Sequence, residues 1–191
     1  ADDAGAGEQQ QDRQARVLEG AGRDDGGTLG DHRARLSRNG QAGSQYGVAM
    51  PDAELLACLL RVNAARAAGH AATADEAALA QRWRCHERLA VYGTLAPGRE
   101  NHDQLAACPG PWHEALVRGR LGRRAFPVFT FDPLAAAVTM LVLHSPALPA
   151  AWAGLDRFEG ADYRRILVPF ECGDGNVGVA NLYAAVEPVA P

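Results

Sequence analysis

The sequence predicts an α+β domain: a small closed or strongly curved sheet of six strands with few helices, preceded by a helical hairpin. Three observations carry this. Between Leu89 and Ala184, short runs of β-branched, aromatic and aliphatic residues alternate with turn residues. Within that region only Ser145 to Gly160 has helical spacing. Ahead of it, two segments between Asp52 and His86 repeat apolar residues at the helical period. Short strands joined mainly by hairpins, with little helix to cover them, bury their apolar faces by curving onto each other.

A length of 191 residues suits one domain with an appendage. Residues 1–49 are rich in Gly, Gln, Asp and Arg, hold no helical or strand period, and cannot offset the entropy of ordering them. They read as a disordered or non-native extension, with Met50 as the native start. Residues 50–87 read as the helical hairpin, 88–186 as the main domain and 187–191 as a tail.

The first helix is expected from Asp52 to about Ala68, with Leu55, Leu56, Leu59, Leu60 and Val62 as its stripe and Gly69-His70 as its stop. The second, Thr73 to His86, carries Ala77, Leu79, Ala80 and Trp83. The pair would dock on the main domain or offer a partner surface. Strands follow at Leu89–Thr94, Ala115–Leu121, Phe126–Phe131 and Val138–Leu143, with a helical turn over 99–107. Ser145 reads as the cap of the next helix, Pro146 as an early residue, and Leu148, Trp152 and Leu155 as its buried face. Gly160 ends it. The last strands, Tyr163–Phe170 and Val177–Ala184, are joined by Gly173-Asp174-Gly175-Asn176, a strong hairpin signal.

Composition removes several function classes. The net charge of −4, with no basic patch interleaved with aromatics, gives no basis for nucleic acid or an anionic membrane as partner. All 19 basic residues are arginine, which fits a GC-rich coding sequence and weakens any single Arg as evidence of anion binding. Cys58, Cys85, Cys108 and Cys172 form neither C-x-x-C nor a disulfide framework, which suggests a reduced, cytoplasmic protein. The most apolar stretch, Leu134 to Leu143, is too short to span a bilayer. Gly173 to Gly178 spell G-x-G-x-x-G, but a strand follows instead of the helix a dinucleotide site requires. The histidines show no metal-ligand spacing, no G-x-S-x-G elbow exists, and no metal or cofactor is expected.

Two segments keep a chemical reading beside an ordinary one. In Leu89 to His102 a buried strand enters a loop at Gly93, whose freedom would let main-chain N–H groups face an anion. On spacing alone the ordinary reading, a strand leaving a sheet for a turn, is the stronger one. In Leu155 to Arg165, Glu159 closes a helix, where the macrodipole opposes its charge and favours a raised carboxyl pKa. Beside Phe158 and partly buried it would suit a proton shuttle; otherwise it is a solvated glutamate before a stop glycine.

Taken in order, Tyr92-Gly93-Thr94-Leu95, Pro97-Gly98, Asn101-His102, Leu155-Asp156-Arg157-Phe158-Glu159-Gly160, Tyr163, Arg165 and Tyr183 resemble the gamma-glutamylcyclotransferase-like (avirulence-induced-gene-like) family over about residues 88–186. The resemblance implies a small mixed six-stranded β-barrel with a cavity at one end. It also implies a cofactor-independent enzyme that cyclises the gamma-glutamyl group of a small amine or peptide adduct and releases 5-oxoproline. Carried over, the backbone of Tyr92, Gly93, Thr94 and Leu95 would hold the substrate α-carboxylate, and Glu159 would be general acid and base. Tyr163 would line the pocket, Arg165, Tyr183 and Asn101 would support it, and Asp156 would be a polar anchor. The alternatives are a non-catalytic ligand- or partner-binding module on the same barrel, and action on a larger biosynthetic intermediate.

Overall fold

The structure is a computed structural model and describes residues 52–70, 73–123 and 127–186. The expectations for 1–49, for Met50 and for 187–191 lie outside those residues.

Two helices come first, α1 (Ala53–Ala67) and α2 (Ala74–Trp83). Asp52 caps α1, accepting from the N–H of Glu54 at 3.0 Å, and Thr73 caps α2 through Glu76. The second helix stops three residues before the expected His86. Arg84 takes a left-handed conformation (φ 49°), and Cys85–Glu87 form a separate 3₁₀ turn. Of the predicted stripe, Leu59 and Val62 are fully buried while Leu60 is 48% exposed, so the apolar face is narrower than the sequence suggested. On α2, Leu79 is buried and Ala77 is exposed.

Six strands follow: β1 (Arg88–Val91), β2 (Trp112–Arg123), β3 (Pro127–Phe131), β4 (Ala137–His144), β5 (Tyr163–Cys172) and β6 (Val177–Ala185). A 3₁₀ turn, His102–Leu105, lies between β1 and β2, and helix α3 (Leu148–Glu159) lies between β4 and β5. Strand order is β3-β2-β4-β1-β6-β5, and β5 returns to β2 through Ala115–Cys172 and Leu116–Glu171. Five strands therefore close into a barrel, and β3 is an extra strand on β2. All pairings are antiparallel except β1 with β6, matched at Leu89–Asn181. This is the mixed α+β barrel that the sequence predicted.

Inward residues of alternating register, among them Ala90, Val117, Met140, Val142, Val168 and Leu182, fill the barrel. Phe129 of β3 joins them, fully buried, and only because Gly119 faces it. A Cβ there would lie 2.1 Å from the Phe129 ring. On the outside, Leu148, Trp152 and Leu155 of α3 pack with Leu89, Leu143 and Tyr183. On another face, Leu59, Val62 and Leu79 pack against Leu167 and Val179. Asn63 seals that junction: its amide donates to Leu167 O at 2.8 Å and accepts from Leu167 N–H at 2.7 Å. A side chain thus occupies backbone groups of β5 that no neighbouring strand takes there.

The start of α3 differs from expectation. Ala147, not Ser145, occupies the cap position, and the first-turn proline is Pro149. Ser145 is fully buried one turn earlier. Its N–H donates to Glu87 O at 2.9 Å, and its hydroxyl accepts from Ala147 N–H only at 3.4 Å. A tight turn, closed by Leu148 N–H on Ser145 O at 3.2 Å, intervenes before the helix. Gly160 does end it, at φ 71°. The segment spelling G-x-G-x-x-G is the β5–β6 hairpin, with Cys172 N–H on Asn176 O at 2.9 Å and Gly175 at φ 80°.

Candidate active site

The loop after β1 is a compact turn built on its own polar atoms. Ala96 N–H donates to Gly93 O (3.2 Å), Asn101 N–H to Thr94 O (3.1 Å) and the Asn101 amide to Thr94 Oγ1 (2.9 Å). His102 Nδ1 lies 3.0 Å from Leu95 O. The Leu95 side chain is 5% exposed and packs into the α3 cluster, so it anchors the loop from below. Among the described residues, no hydrogen bond takes up the N–H groups of Gly93, Thr94 or Leu95. Three main-chain donors in a half-buried turn can receive a carboxylate.

Gly93 does not supply this by unusual backbone angles. Its φ is not positive, and a Cβ built on it meets nothing within 4 Å. The left-handed glycine of the loop is Gly98, at φ 74°. The space at Gly93 is open, so any constraint on that residue comes from what occupies the space and not from the fold.

Tyr92 reaches across the barrel end. Its hydroxyl donates to Tyr183 O at 2.8 Å, and its ring lies 5.6 Å from that of Phe129. Burial first, then the neighbouring Tyr163 and Glu159, push the Tyr92 hydroxyl well above the usual phenol range. It stays a neutral donor. Tyr163 packs against the α3 cluster, and its hydroxyl donates to Pro127 O at 3.2 Å, tying β5 to the extra strand.

Glu159 is the last residue of α3. Among the described residues its carboxyl has no hydrogen-bond or ion-pair partner. Burial pushes its pKa from an ordinary 4.5 to about 7. The cause is loss of water around the carboxylate, the partial burial beside Phe158 that the sequence suggested. Its charge acts on both the Tyr92 and Tyr183 hydroxyls, so the carboxyl lies within electrostatic range of the tyrosines of the site.

Asp156, three residues earlier, is held in the opposite state. Burial acts to raise its carboxyl, but hydrogen bonds from Arg165 and Tyr183 outweigh it and hold it below the usual carboxylate range. Arg165 forks it with Nε at 2.8 Å and Nη2 at 3.0 Å, and the Tyr183 hydroxyl donates at 2.6 Å. The Arg165 guanidinium also covers the Trp152 ring, 4.6 Å from its centre.

The sequence-predicted residues fall into two hydrogen-bonded groups, Tyr92 on Tyr183 with Tyr183 and Arg165 on Asp156, and Asn101 on Thr94, while Tyr163 and Glu159 act electrostatically on the Tyr92 hydroxyl. Sequence reasoning missed Phe129, which packs against Tyr92, and Asn181, which accepts from Arg165 Nη1 at 3.3 Å. The signal for Asn181 was a lone amide inside the apolar run from Val177 to Tyr183.

Other chemistry finds little support. The thiols of Cys58, Cys85, Cys108 and Cys172 are all free and all raised, in each case chiefly by burial. His144 and His86 face Glu87, at 3.3 and 3.5 Å. Among the described residues, no group of three or more His, Cys, Asp or Glu could hold a metal ion, and no helix is long and apolar enough to cross a membrane.

A family model described as gamma-glutamyl cyclotransferase, AIG2-like, matches residues 89–190. No curated protein matches the chain. Among solved structures the chain is similar to YkqA from Bacillus subtilis (26% identity, TM-score 0.45), covering 52% of this chain and 35% of that one. It is also similar to an AIG2-like protein from Mus musculus (19% identity, TM-score 0.44), covering 55% and 80%. A third is the uncharacterised PH0828 from Pyrococcus horikoshii (21% identity, TM-score 0.41), covering 54% and 81%. The chain thus spans about a third of the Bacillus protein.

Proposed function

The chain belongs to the gamma-glutamyl cyclotransferase, AIG2-like family, and on that premise we propose that it cyclises the gamma-glutamyl group of a small amine or peptide adduct, releasing 5-oxoproline. The observation that carries the reading is Glu159: a half-buried carboxyl without a partner among the described residues, its pKa about 7, whose charge is felt at the Tyr92 and Tyr183 hydroxyls.

The substrate α-carboxylate sits on the N–H groups of Gly93, Thr94 and Leu95. Ionised Glu159 takes a proton from the α-ammonium group, freeing the amine. That amine attacks the γ-carbonyl, closing a five-membered ring; the ring nitrogen then gives up its second proton, and the departing nitrogen takes up both this proton and the one on Glu159 as the old amide bond breaks, leaving as an ammonium. Both reacting groups belong to one molecule, so the site acts mainly by holding the substrate folded. A carboxyl titrating near neutrality is matched to both proton transfers. The rings of Tyr92, backed by the buried Phe129, and of Tyr163 exclude water from the folded chain.

The test is 5-oxoproline release from a panel of gamma-glutamyl amines and dipeptides. Release by the native chain, abolished in Glu159→Gln with unchanged circular dichroism, is the expected result. No release across the panel would point instead to a ligand-binding module on the same barrel.

A further inference from the structure

The helical hairpin lies outside the residues that the family model matches, yet it sends one charged side chain into the barrel wall. We propose that Arg66 of α1 is a positioning residue for Glu159, acting through Asn181, Arg165 and Asp156. This rests on the reading of Glu159 as the group that moves the proton.

Asn181 is fully buried on β6, and both ends of its amide are used. Its Oδ1 accepts from Arg66 Nη1 at 2.9 Å and from Arg165 Nη1 at 3.3 Å. Its Nδ2 donates to Cys85 O at 2.7 Å and to Arg88 O at 3.4 Å. A buried amide holds one orientation only while all its partners stay in place. Arg66 is itself fixed: Nε and Nη2 bond Glu76 Oε1 of α2 at 3.2 and 2.5 Å, and Nη1 also reaches Arg165 O at 3.4 Å. The Arg66 side chain is 15% exposed, which is inconsistent with an ordinary solvated arginine.

The chain of contacts continues in one direction. Two guanidiniums share Asn181 Oδ1, and each has its own carboxylate, Glu76 for Arg66 and Asp156 for Arg165. Asp156 stands three residues before Glu159 on α3, so the Arg165 fork pins the last turn of the helix that ends in Glu159. Tyr183 closes the loop, donating to Asp156 while its carbonyl receives the Tyr92 hydroxyl.

Attachment of the hairpin does not rest on Arg66 alone. Leu59, Val62 and Leu79 on Leu167 and Val179, and the paired Asn63–Leu167 bonds, hold it independently. Removing the Arg66 guanidinium leaves those contacts and takes one of two donors from Asn181 Oδ1. The last turn of α3 then loosens and water reaches Glu159.

The experiment follows the Glu159 carboxyl by carbon-detected NMR titration in the full chain, its signal assigned by its loss in Glu159→Gln. Arg66→Met is expected to lower the Glu159 midpoint by about one pH unit, with circular dichroism unchanged, and Arg66→Lys to recover part of that fall. Glu76→Gln, which only unclamps Arg66, should shift the midpoint the same way. If Arg66→Met does not fold, Glu76→Gln decides. A Glu159 midpoint equal to that of the native chain in the folded variants overturns the proposal. The titration needs no substrate: absence of 5-oxoproline release would refute the reaction and leave this coupling standing, and an unmoved midpoint would do the reverse.

Discussion

Replacing Glu159 by glutamine should change how stability depends on pH, in a direction fixed by burial alone. In the unfolded chain this carboxyl titrates near 4.5, and in the folded protein at about 7. Between those values the folded state binds more protons than the unfolded one, so the native chain loses stability as pH rises through the window. At 1.36 kcal/mol per pH unit the whole displacement is worth about 3 kcal/mol, of which about 2.5 kcal/mol falls between pH 5 and 8. Glutamine does not titrate and escapes that loss. The stability of Glu159→Gln relative to the native chain should therefore improve by about 2.5 kcal/mol from pH 5 to pH 8. Urea unfolding of both proteins at unit pH steps, compared at equal m-values, measures it. Parallel pH profiles would refute the reasoning, since they would mean that Glu159 is hydrated in the folded protein and suited to no proton transfer near neutrality.

Gly93→Ala should leave urea stability within about 0.5 kcal/mol, because the fold needs no left-handed angle there and a Cβ meets nothing; a sharp loss of 5-oxoproline release in the same variant would show that substrate fills the space. Gly119→Ala should cost about 1–3 kcal/mol in urea unfolding, since its Cβ would fall 2.1 Å from the Phe129 ring and 2.7 Å from Thr130 O. Tyr183→Phe removes the 2.6 Å donor to Asp156, at a cost near the low end for charged hydrogen bonds, about 1.5 kcal/mol, because Asp156 keeps contact with water. The folded-state carboxyl of Asp156 is depressed, so its contribution is complete above the ordinary carboxylate range and is lost as pH falls through the depressed value. The penalty of Tyr183→Phe should shrink on the same descent.

The strands were legible because each announces itself locally. The apolar, β-branched runs of β4 and β6 and the Gly-Asp-Gly-Asn turn between β5 and β6 required no knowledge of the remaining chain. What local pattern could not supply was closure: the bridge of Ala115 to Cys172 joins residues whose own neighbourhoods say nothing of each other. The same limit explains Ser145. Ser followed by Pro looks like a cap and first turn, but the demand of Glu87 O for a donor holds Ser145 in the barrel wall and delays the helix to Leu148. In the site, Tyr92 and Glu159 were legible from their flanking residues. Asn181 was readable only as an anomaly, and Arg66 not at all, because its meaning depends on a partner 115 residues away.

Asp156 and Glu159 show how one helix end produces two different carboxylates. Both lie near the tyrosines, and burial acts to raise each. Three donated hydrogen bonds, two from Arg165 and one from Tyr183, reverse that effect for Asp156. Nothing among the described residues reverses it for Glu159. The carboxyl that holds its proton near neutrality is thus the one the fold leaves unpartnered, and the partnered one fixes the helix that carries it. An added donor to Glu159 would therefore impair the site even with the barrel intact, because it would pull the carboxyl back toward the ordinary range, where it can take a proton but no longer return it at neutral pH.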